Sequence, residues 1–175
     1  MLTSPPITHC FLVRHGVVAE VVKASWASEE PLPRGTPVVV QTHRGIVLGS
    51  VLEGVRPVAE PGVVETPPAS EILRGASTED LQQARQLQEQ CRHEFVDWSR
   101  RIADWGLDLQ LIDIERTLDG TKVVLFVLNE RGPECTRLAL QAAAAGLGLI
   151  EVQPVSLDGV VTSPSGGGCG SCGAH

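Results

Sequence analysis

The sequence predicts an α+β protein, in which a small N-terminal β-barrel-like sheet is followed by an α-β-β-α-β unit with a long first helix and a Gly/Cys-rich C-terminal tail. Three observations lead to this prediction. Short β-type segments joined by glycine-containing turns come first, a long seam of apolar residues at helical spacing follows, and the last apolar segments are separated by turn signals. We expect a β subdomain in residues 1–56, a linker or edge segment in 57–76, the α-β-β-α-β subdomain in 77–156 and a flexible tail in 157–175.

The N-terminal strands form two pairs, and each pair flanks a tight turn that ends in glycine, at Gly16 and at Gly45. Four short strands of this kind predict a small barrel or a curled sheet. Gly49, inside the fourth strand, indicates a bulge or a tight bend. The predicted strands cover residues 11–13, 17–22, 36–42 and 46–52.

Residues 56–70, RPVAEPGVVETPPAS, contain four prolines and lack a strict alternation of apolar and polar residues. Proline cannot donate a hydrogen bond to a strand ladder, so it is confined to edges and ends of strands. We therefore interpret this stretch as a linker or a poorly paired edge segment.

A long helix should begin at Ser77 or Thr78, either of which can cap its first turn, and should end at Gly106. Its apolar residues form a seam on one face. At 1.5 Å per residue, about 27 residues span roughly 40 Å, which exceeds what one small subdomain needs. We therefore expect part of the seam to bind a partner, through Trp98, Ile102 and Trp105. The seam comprises Leu81, Ala84, Cys91, Phe95, Trp98, Ile102 and Trp105.

Short apolar segments predict the rest of this unit. The alternation after Gly106 changes phase at Leu111 and Ile112, where a bulge is expected. The run KVVLFVL suits a central strand that is buried on both faces. Pro133 is a typical first residue of a helix, and Gly146 a typical end. The predicted elements are a strand over 107–118, a turn at Asp119-Gly120, a strand over 122–128, a helix over 133–145 and a strand over 147–155.

Composition narrows the class of protein. The net charge of −7 argues against the broad basic surface of a strong non-specific nucleic-acid binder. The first residues, MLTSPPITHCFLVRHG, do not resemble a secretory signal, and no apolar run approaches the ~20 residues of a membrane helix. Five cysteines, an odd number, favour reduced thiols. We therefore expect a cytoplasmic protein without membrane insertion.

The tail SGGGCGSCGAH places Cys169 and Cys172 in a Cys-x-x-Cys frame. Thiolates at this spacing bind metal, but a structural zinc site or an iron–sulfur cluster needs four ligands. Cys135, expected in the first turn of the second helix, is the best third ligand from this chain. Two alternatives stay open, a flexible tail without metal and a redox pair. Other sources of ligands are His175, Cys10, Cys91, a second copy of the chain and a partner protein.

No catalytic constellation appears in the sequence, which lacks GxSxG, P-loop and HExxH motifs. Asp113 and Glu115 point to one face of a strand, an arrangement that suits a cation or acid–base work, but a solvated strand face is the plainer interpretation. His15 and His43 lie in predicted turns, where we expect them to be solvated. We predict that the protein is not an enzyme.

Arginines along the long helix alternate with acidic residues, which indicates a mixed, solvated surface. The alternative is a small stripe of arginines that faces RNA. The residues concerned are Arg74, Arg85, Arg92, Arg100 and Arg101, interleaved with Glu89, Glu94, Asp97 and Asp104.

Several segments match a known pattern in the same order along the chain. The second half contains GLDLQLID, LDG, VVLFVLNER, LALQA and IEVQ, and the first half contains VVVQT, RG and GSV, with Arg74, Ala76 and TEDL between them. Over roughly residues 10–172 the chain resembles the PSP-one C-terminal-domain family of bacterial regulatory proteins (the YaaT/RicT type). The tail corresponds to the cysteine run of that family, whose second cysteine group has no counterpart in this sequence.

The resemblance implies a regulatory protein without catalysis of its own. Members assemble with small helical partner proteins, can carry iron–sulfur clusters and promote the maturation of messenger RNA by a membrane-bound endoribonuclease. We therefore expect a scaffold for RNA processing that binds helical regulatory subunits and the nuclease, or forms a homo-oligomer, with an iron–sulfur cluster or zinc at Cys169 and Cys172. The alternative is direct binding of RNA or single-stranded nucleic acid.

Overall fold

A computed structural model describes residues 9–55, 68–129, 132–156 and 159–161. These residues form a closed barrel and a second sheet that carries two helices, so the predicted α+β class is confirmed. The elements are β1 (His9–His15), β2 (Glu20–Trp26), β3 (Pro37–Thr42), β4 (Gly45–Val55), β5 (Ser70–Gly75), α1 (Thr78–Asp104), β6 (Gln110–Arg116), β7 (Lys122–Leu128), α2 (Pro133–Ala144), β8 (Leu149–Ser156) and β9 (Gly159–Val160).

The barrel has the strand order β1-β2-β5-β3-β4, and the pairing of β1 with β4 closes it. Its interior is filled mainly by small β-branched side chains, which suit a narrow barrel. Gly49 allows Val13 of the neighbouring strand to approach its backbone closely. A Cβ atom at position 49 would lie 2.6 Å from Val13 Cγ1. The buried interior residues are Val13, Ala24, Val38, Val40, Val47, Val51 and Ile72.

The fifth strand of the barrel corrects the sequence prediction. Ser70–Gly75 lie within the predicted linker or edge segment, yet they form β5, which pairs with β2 on one side and with β3 on the other. Ile72, 2% exposed, fills the barrel interior. The strand forms because β2 and β3 would otherwise each present an unpaired edge. Residues 56–67, the rest of that proline-rich stretch, lie outside the described residues.

Helix α1 begins and ends close to the predicted residues. Ser77 caps it, since its hydroxyl accepts a hydrogen bond from Asp80 N at 3.2 Å and the Asp80 carboxylate accepts one from Ser77 N at 2.7 Å. An ion pair with Arg74 and these hydrogen bonds hold the pKa of Asp80 well below its usual range. At the other end Gly106 adopts φ +64°, the left-handed conformation that terminates helices.

The second sheet has the order β6-β7-β8-β9, with β7 in a central position. Strands β6 and β7 are antiparallel, and α2 provides the crossover to β8, which runs parallel to β7. The predicted bulge is confirmed, because the β6–β7 register shifts between Leu111 and Asp113. Strand β9, which the sequence analysis did not predict, pairs with β8.

Strand β7 is buried on both faces, as predicted, and each face serves a different core. Val123, Leu125 and Val127 pack in the core beneath α1 and α2. Val124 and Phe126 point to the opposite face, where Val18 of the β1–β2 turn packs against them. The central strand therefore joins the helical layer to the barrel.

The apolar seam of α1 packs on the chain's own sheet. Trp98 and Ile102 are 4% and 3% exposed and lie in the core that α1 shares with β6, β7 and α2. The second sheet of the same chain therefore covers Trp98 and Ile102, and their binding to a partner stays a prediction. Trp105 is partly buried against the same core.

Neither helix in the described residues combines the length and the apolarity that crossing a bilayer requires.

The barrel offers a matched pair of glycines. Gly49→Ala should lower the free energy of unfolding by roughly 1–3 kcal/mol, because the new methyl group would overlap Val13 and lie 3.2 Å from the Arg14 carbonyl oxygen. Gly75→Ala is the control, because no atom lies within 4 Å of its added Cβ. Urea denaturation measures both. Equal stability of the two variants would contradict this close approach.

Candidate functional site

A buried arginine occupies the junction between the barrel and the second sheet. Arg44 is 1% exposed and forms an ion pair with Glu20 of β2. Its Nε lies 3.7 Å from a carboxylate oxygen of Glu151, and its Nη2 donates a hydrogen bond to Gln153 Oε1 at 3.4 Å. The guanidinium also lies over the Phe126 ring, 5.3 Å from its centroid. A buried cation therefore has partners on both the barrel and the second sheet.

Local hydrogen bonds set the position of Arg44. The β3–β4 hairpin turns at Arg44, whose N donates to the Thr42 hydroxyl oxygen at 3.2 Å, while that hydroxyl donates to the Gly45 carbonyl at 3.1 Å. Gly45 adopts φ +125°, and a Cβ there would lie 3.1 Å from Thr117. Leu118 N donates to the Ile46 carbonyl at 2.7 Å. The hairpin is therefore bound directly to the second half of the chain.

His15 lies beside this ionic cluster, which corrects the expectation that it is solvated in a turn. It is the last residue of β1, lies opposite Glu20 on the neighbouring strand β2, and is 3% exposed. Neither ring nitrogen has a hydrogen-bond partner within the described part of the chain. Burial lowers the pKa of His15, Glu20 opposes that effect, and Arg44 and His43 add to it.

Glu115 is also less solvated than predicted. Its Oε2 accepts a hydrogen bond from Val17 N at 3.2 Å, which ties β6 to the β1–β2 turn. Gly16 in that turn has φ +80°, and a Cβ there would lie 3.1 Å from Glu115 Oε2. Burial raises the pKa of Glu115, and its hydrogen bond with Val17 partly offsets this. Asp113, by contrast, is exposed, as expected of a solvated strand face.

A groove runs beside the junction, between the N-terminal half of α1 and the barrel. Its cavity of about 370 Å³ lies between α1 and the barrel, and an adjoining cavity of about 410 Å³ is lined by the barrel and the β1–β2 turn; Gly16, Val17 and Leu48 line both. Its walls come from the β1–β2 turn, β4, α1 and β6. The apolar side chains that line the first cavity are Val17, Val47, Leu48, Leu81, Ala84, Leu87, Cys91, Ile114 and Leu118.

The cysteines predicted as ligands do not come together in the described residues. Cys169 and Cys172 lie outside them. Cys135 is in the first turn of α2, as predicted, but is 8% exposed and packs in the core beneath the helices. Cys91 is buried in the same core, as expected, and burial raises its pKa to about 11. Within the described ranges, no group of three or more His, Cys, Asp or Glu side chains is arranged to hold a metal ion.

The mixed charged surface predicted for α1 is confirmed. Arg92 pairs with Glu89 at 2.7 Å and Arg100 with Asp97 at 3.4 Å, each within one turn of the helix. Arg85 differs, because its side chain faces the groove and has no ion pair or hydrogen bond with any residue that the structure describes.

The sequence analysis missed the junction itself. Arg44 precedes Gly45 in a predicted turn, and nothing in the sequence connects it with Glu20, Glu151 or Gln153. No local pattern indicates this cluster, because Gln153 and Arg44 are 109 positions apart. One indirect signal was an arginine in a short hairpin between two strongly apolar strands.

Comparison with known proteins finds a match to one family model. Residues 70–131 match the PSP1 C-terminal conserved region and are called the PSP1 region below. The resemblance seen in the sequence is therefore confirmed. The PSP1 region runs from β5 through α1 and β6 to the end of β7, so it includes the strand that completes the barrel and one wall of the groove.

A curated relative extends the likeness beyond the PSP1 region. The chain is 26% identical over 136 residues to the Stage 0 sporulation protein YaaT of Bacillus subtilis strain 168. The alignment covers 78% of this chain and 48% of YaaT, so the chain spans about half the length of that relative. No solved structure matches the chain.

The role of Arg44 can be tested by removing its charge. Arg44→Met should lower the free energy of unfolding by roughly 2–4 kcal/mol, because Glu20 would lose its ion-pair partner and Gln153 its donor in a largely buried site. Arg92→Met is the control, since Arg92 is 64% exposed in an ion pair on the helix surface and should cost under about 1 kcal/mol. Similar losses for both variants, measured by denaturation, would show that the junction does not depend on this charge.

Acidification should report the burial of His15. Because burial lowers the pKa of His15 in the folded state, the unfolded chain takes up a proton first, and folding loses stability as the pH falls below the ordinary value of 6.5. His15→Leu removes this loss, so its stability relative to the wild type should rise between pH 7 and pH 5. Thermal melts measure this difference.

His93→Leu is the control for that experiment, since His93 is exposed on α1. It is melted over the same pH range as His15→Leu. If His15→Leu and His93→Leu show the same pH profile, His15 titrates as a solvated histidine.

Proposed function

We propose that this protein is a non-catalytic regulatory scaffold that acts in RNA processing by assembling with helical regulatory subunits and an RNA-processing nuclease. The observation that carries the proposal is the PSP1 region at residues 70–131, together with the likeness to a sporulation protein over most of the chain. Involvement in RNA processing and the nature of the partners come from the family resemblance described above.

The geometry supports a structural role, because side chains of the PSP1 region pack in the cores on both faces of the second sheet. Its helix α1 covers one face of the second sheet, and its strand β7 contributes to the cores on both faces. The N-terminal half of α1 extends over the barrel and forms one wall of the groove. Trp105, partly buried at the end of α1, remains the predicted partner residue that is accessible on the surface.

The chain supplies half of a cluster or zinc site. Cys169 and Cys172 offer two thiolates, while a structural zinc ion or a cluster takes four ligands. Cys91 and Cys135 are buried beneath the helices, so the donor set fits a site that is completed by another chain. We propose that Cys169 and Cys172 share a metal or iron–sulfur cluster with a partner protein or with a second copy.

Direct binding of RNA or single-stranded nucleic acid is the alternative function. The ion pairs on α1 argue against a stripe of arginines that faces RNA, because Arg92 and Arg100 are paired with acidic neighbours on the same helix. A real nucleic-acid site would bind with an affinity that falls steeply as salt is raised.

Anaerobic affinity purification of the full chain from its native cells tests the proposal. We expect helical proteins and a nuclease to be recovered together with iron or zinc. Cys169→Ser combined with Cys172→Ser should lose the metal, and Cys10→Ser is the matched control, since Cys10 lies on β1 of the barrel. Metal analysis and mass spectrometry measure both results.

Two outcomes would contradict the proposal. Recovery of the chain alone, without metal, would overturn both the scaffold and the shared site. Recovery of RNA without protein partners, with binding that weakens as salt is raised, would replace the scaffold by the alternative function.

A further inference from the structure

The groove between α1 and the barrel has the size and the lining of a small-molecule site. Its two adjoining cavities, about 370 and 410 Å³, lie within the ~300–1,000 Å³ range of such sites. Leu81, Leu87 and Leu118 are among the apolar side chains that line the first cavity. An apolar cavity of this volume favours a ligand with an apolar body, because burial removes the ligand's surface from water.

Unused hydrogen-bond donors border these apolar walls. Arg85 and Gln88 lie four and seven residues after Leu81, which places all three on the same face of α1. Arg14 borders the adjoining cavity. The side chains of Arg14, Arg85 and Gln88 have no hydrogen bond or ion pair with the residues that the structure describes.

Within the described lining the groove has a single carboxylate, and that carboxylate already accepts a hydrogen bond. Glu115 is the one acidic side chain among the described residues that line the two cavities, and its carboxylate accepts the hydrogen bond from Val17. Arg116, the third arginine of the lining, is bound by Glu94 at 2.7 Å. In a chain of net charge −7, the charged side chains of this lining that have no partner among the described residues are therefore the two cations Arg14 and Arg85.

We propose that the groove binds a small amphipathic acid, whose apolar body lies between α1 and the barrel and whose anionic head is held by Arg85. The apolar walls match the body, and the unpaired guanidinium matches a carboxylate or a phosphate. This site is independent of the scaffold role and of the cysteine tail.

The anchoring of Glu115 is consistent with this assignment. Its hydrogen bond to Val17 keeps the carboxyl at the base of the first cavity, beneath the β1–β2 turn. Burial raises the pKa of Glu115, so its carboxyl is less readily ionised than that of an exposed glutamate and repels an acidic ligand less.

Calorimetric titration of the full chain with decanoate, below its micelle concentration, tests the proposal. We expect saturable binding at one site, and weaker or absent binding of decyltrimethylammonium, which has a similar body and the opposite charge. Arg85→Gln should weaken decanoate binding by about three- to ten-fold through loss of the charge-assisted hydrogen bond. Arg92→Gln, on the same helix but paired with Glu89, should leave it unchanged.

A second variant fills the cavity. Ala84→Trp places a large side chain on the groove face of α1 and should abolish decanoate binding, while circular dichroism and the melting temperature check that the fold is retained. Saturable binding that depends on Arg85 and is lost in a folded Ala84→Trp protein supports the proposal.

Three results would overturn it. The first is the absence of saturable decanoate binding. The second is equal binding by the Arg85→Gln and Arg92→Gln variants. The third is binding, in the same groove, of a designed Leu/Glu helical peptide but not of decanoate, which would make the groove a protein-docking surface.

Discussion

The placement of the barrel against the second sheet depends on one buried cation, Arg44. A guanidinium removed from water is costly unless charged and polar groups surround it, and here those groups come from both sides of the junction. Glu20 belongs to the barrel, whereas Glu151 and Gln153 belong to β8. A shift of one half relative to the other would leave Arg44 with Glu20 but would remove Glu151 and Gln153, so the ionic cluster favours one relative position of the two halves.

The same junction explains the two-sided burial of β7. One face of this strand lies under the helices, and the other meets Val18 of the barrel turn and the guanidinium of Arg44 over Phe126. The PSP1 region includes this strand, α1 and β5, and so contributes to the helical layer, to the barrel and to the junction between them. Packing within the chain therefore accounts for the apolar seam of α1 and the apolar run of β7.

Polar groups accumulate where the barrel meets the sheet. His15 and Glu115 are both shielded from water there. Burial lowers the pKa of His15 and raises the pKa of Glu115, so it favours the neutral form of each. Close to them, the groove beneath the first turns of α1 is lined by apolar side chains that do not fill it. The dense ionic cluster and the open groove are therefore neighbouring features of one junction, and Val17, which lines the groove, donates a hydrogen bond to Glu115 there.

Local sequence determined the elements. The Ser77 cap, the end of α1 at Gly106, the bulge after Leu111 and the double burial of β7 all follow from residue types and spacings within a few positions. Tertiary structure alone determined the strand pairing of Ser70–Gly75 and the burial of Trp98 and His15, because both depend on partners distant in the sequence. The ionic cluster belongs to this second class, since the cost of burying Arg44 is met by residues that the chain brings together only when it folds.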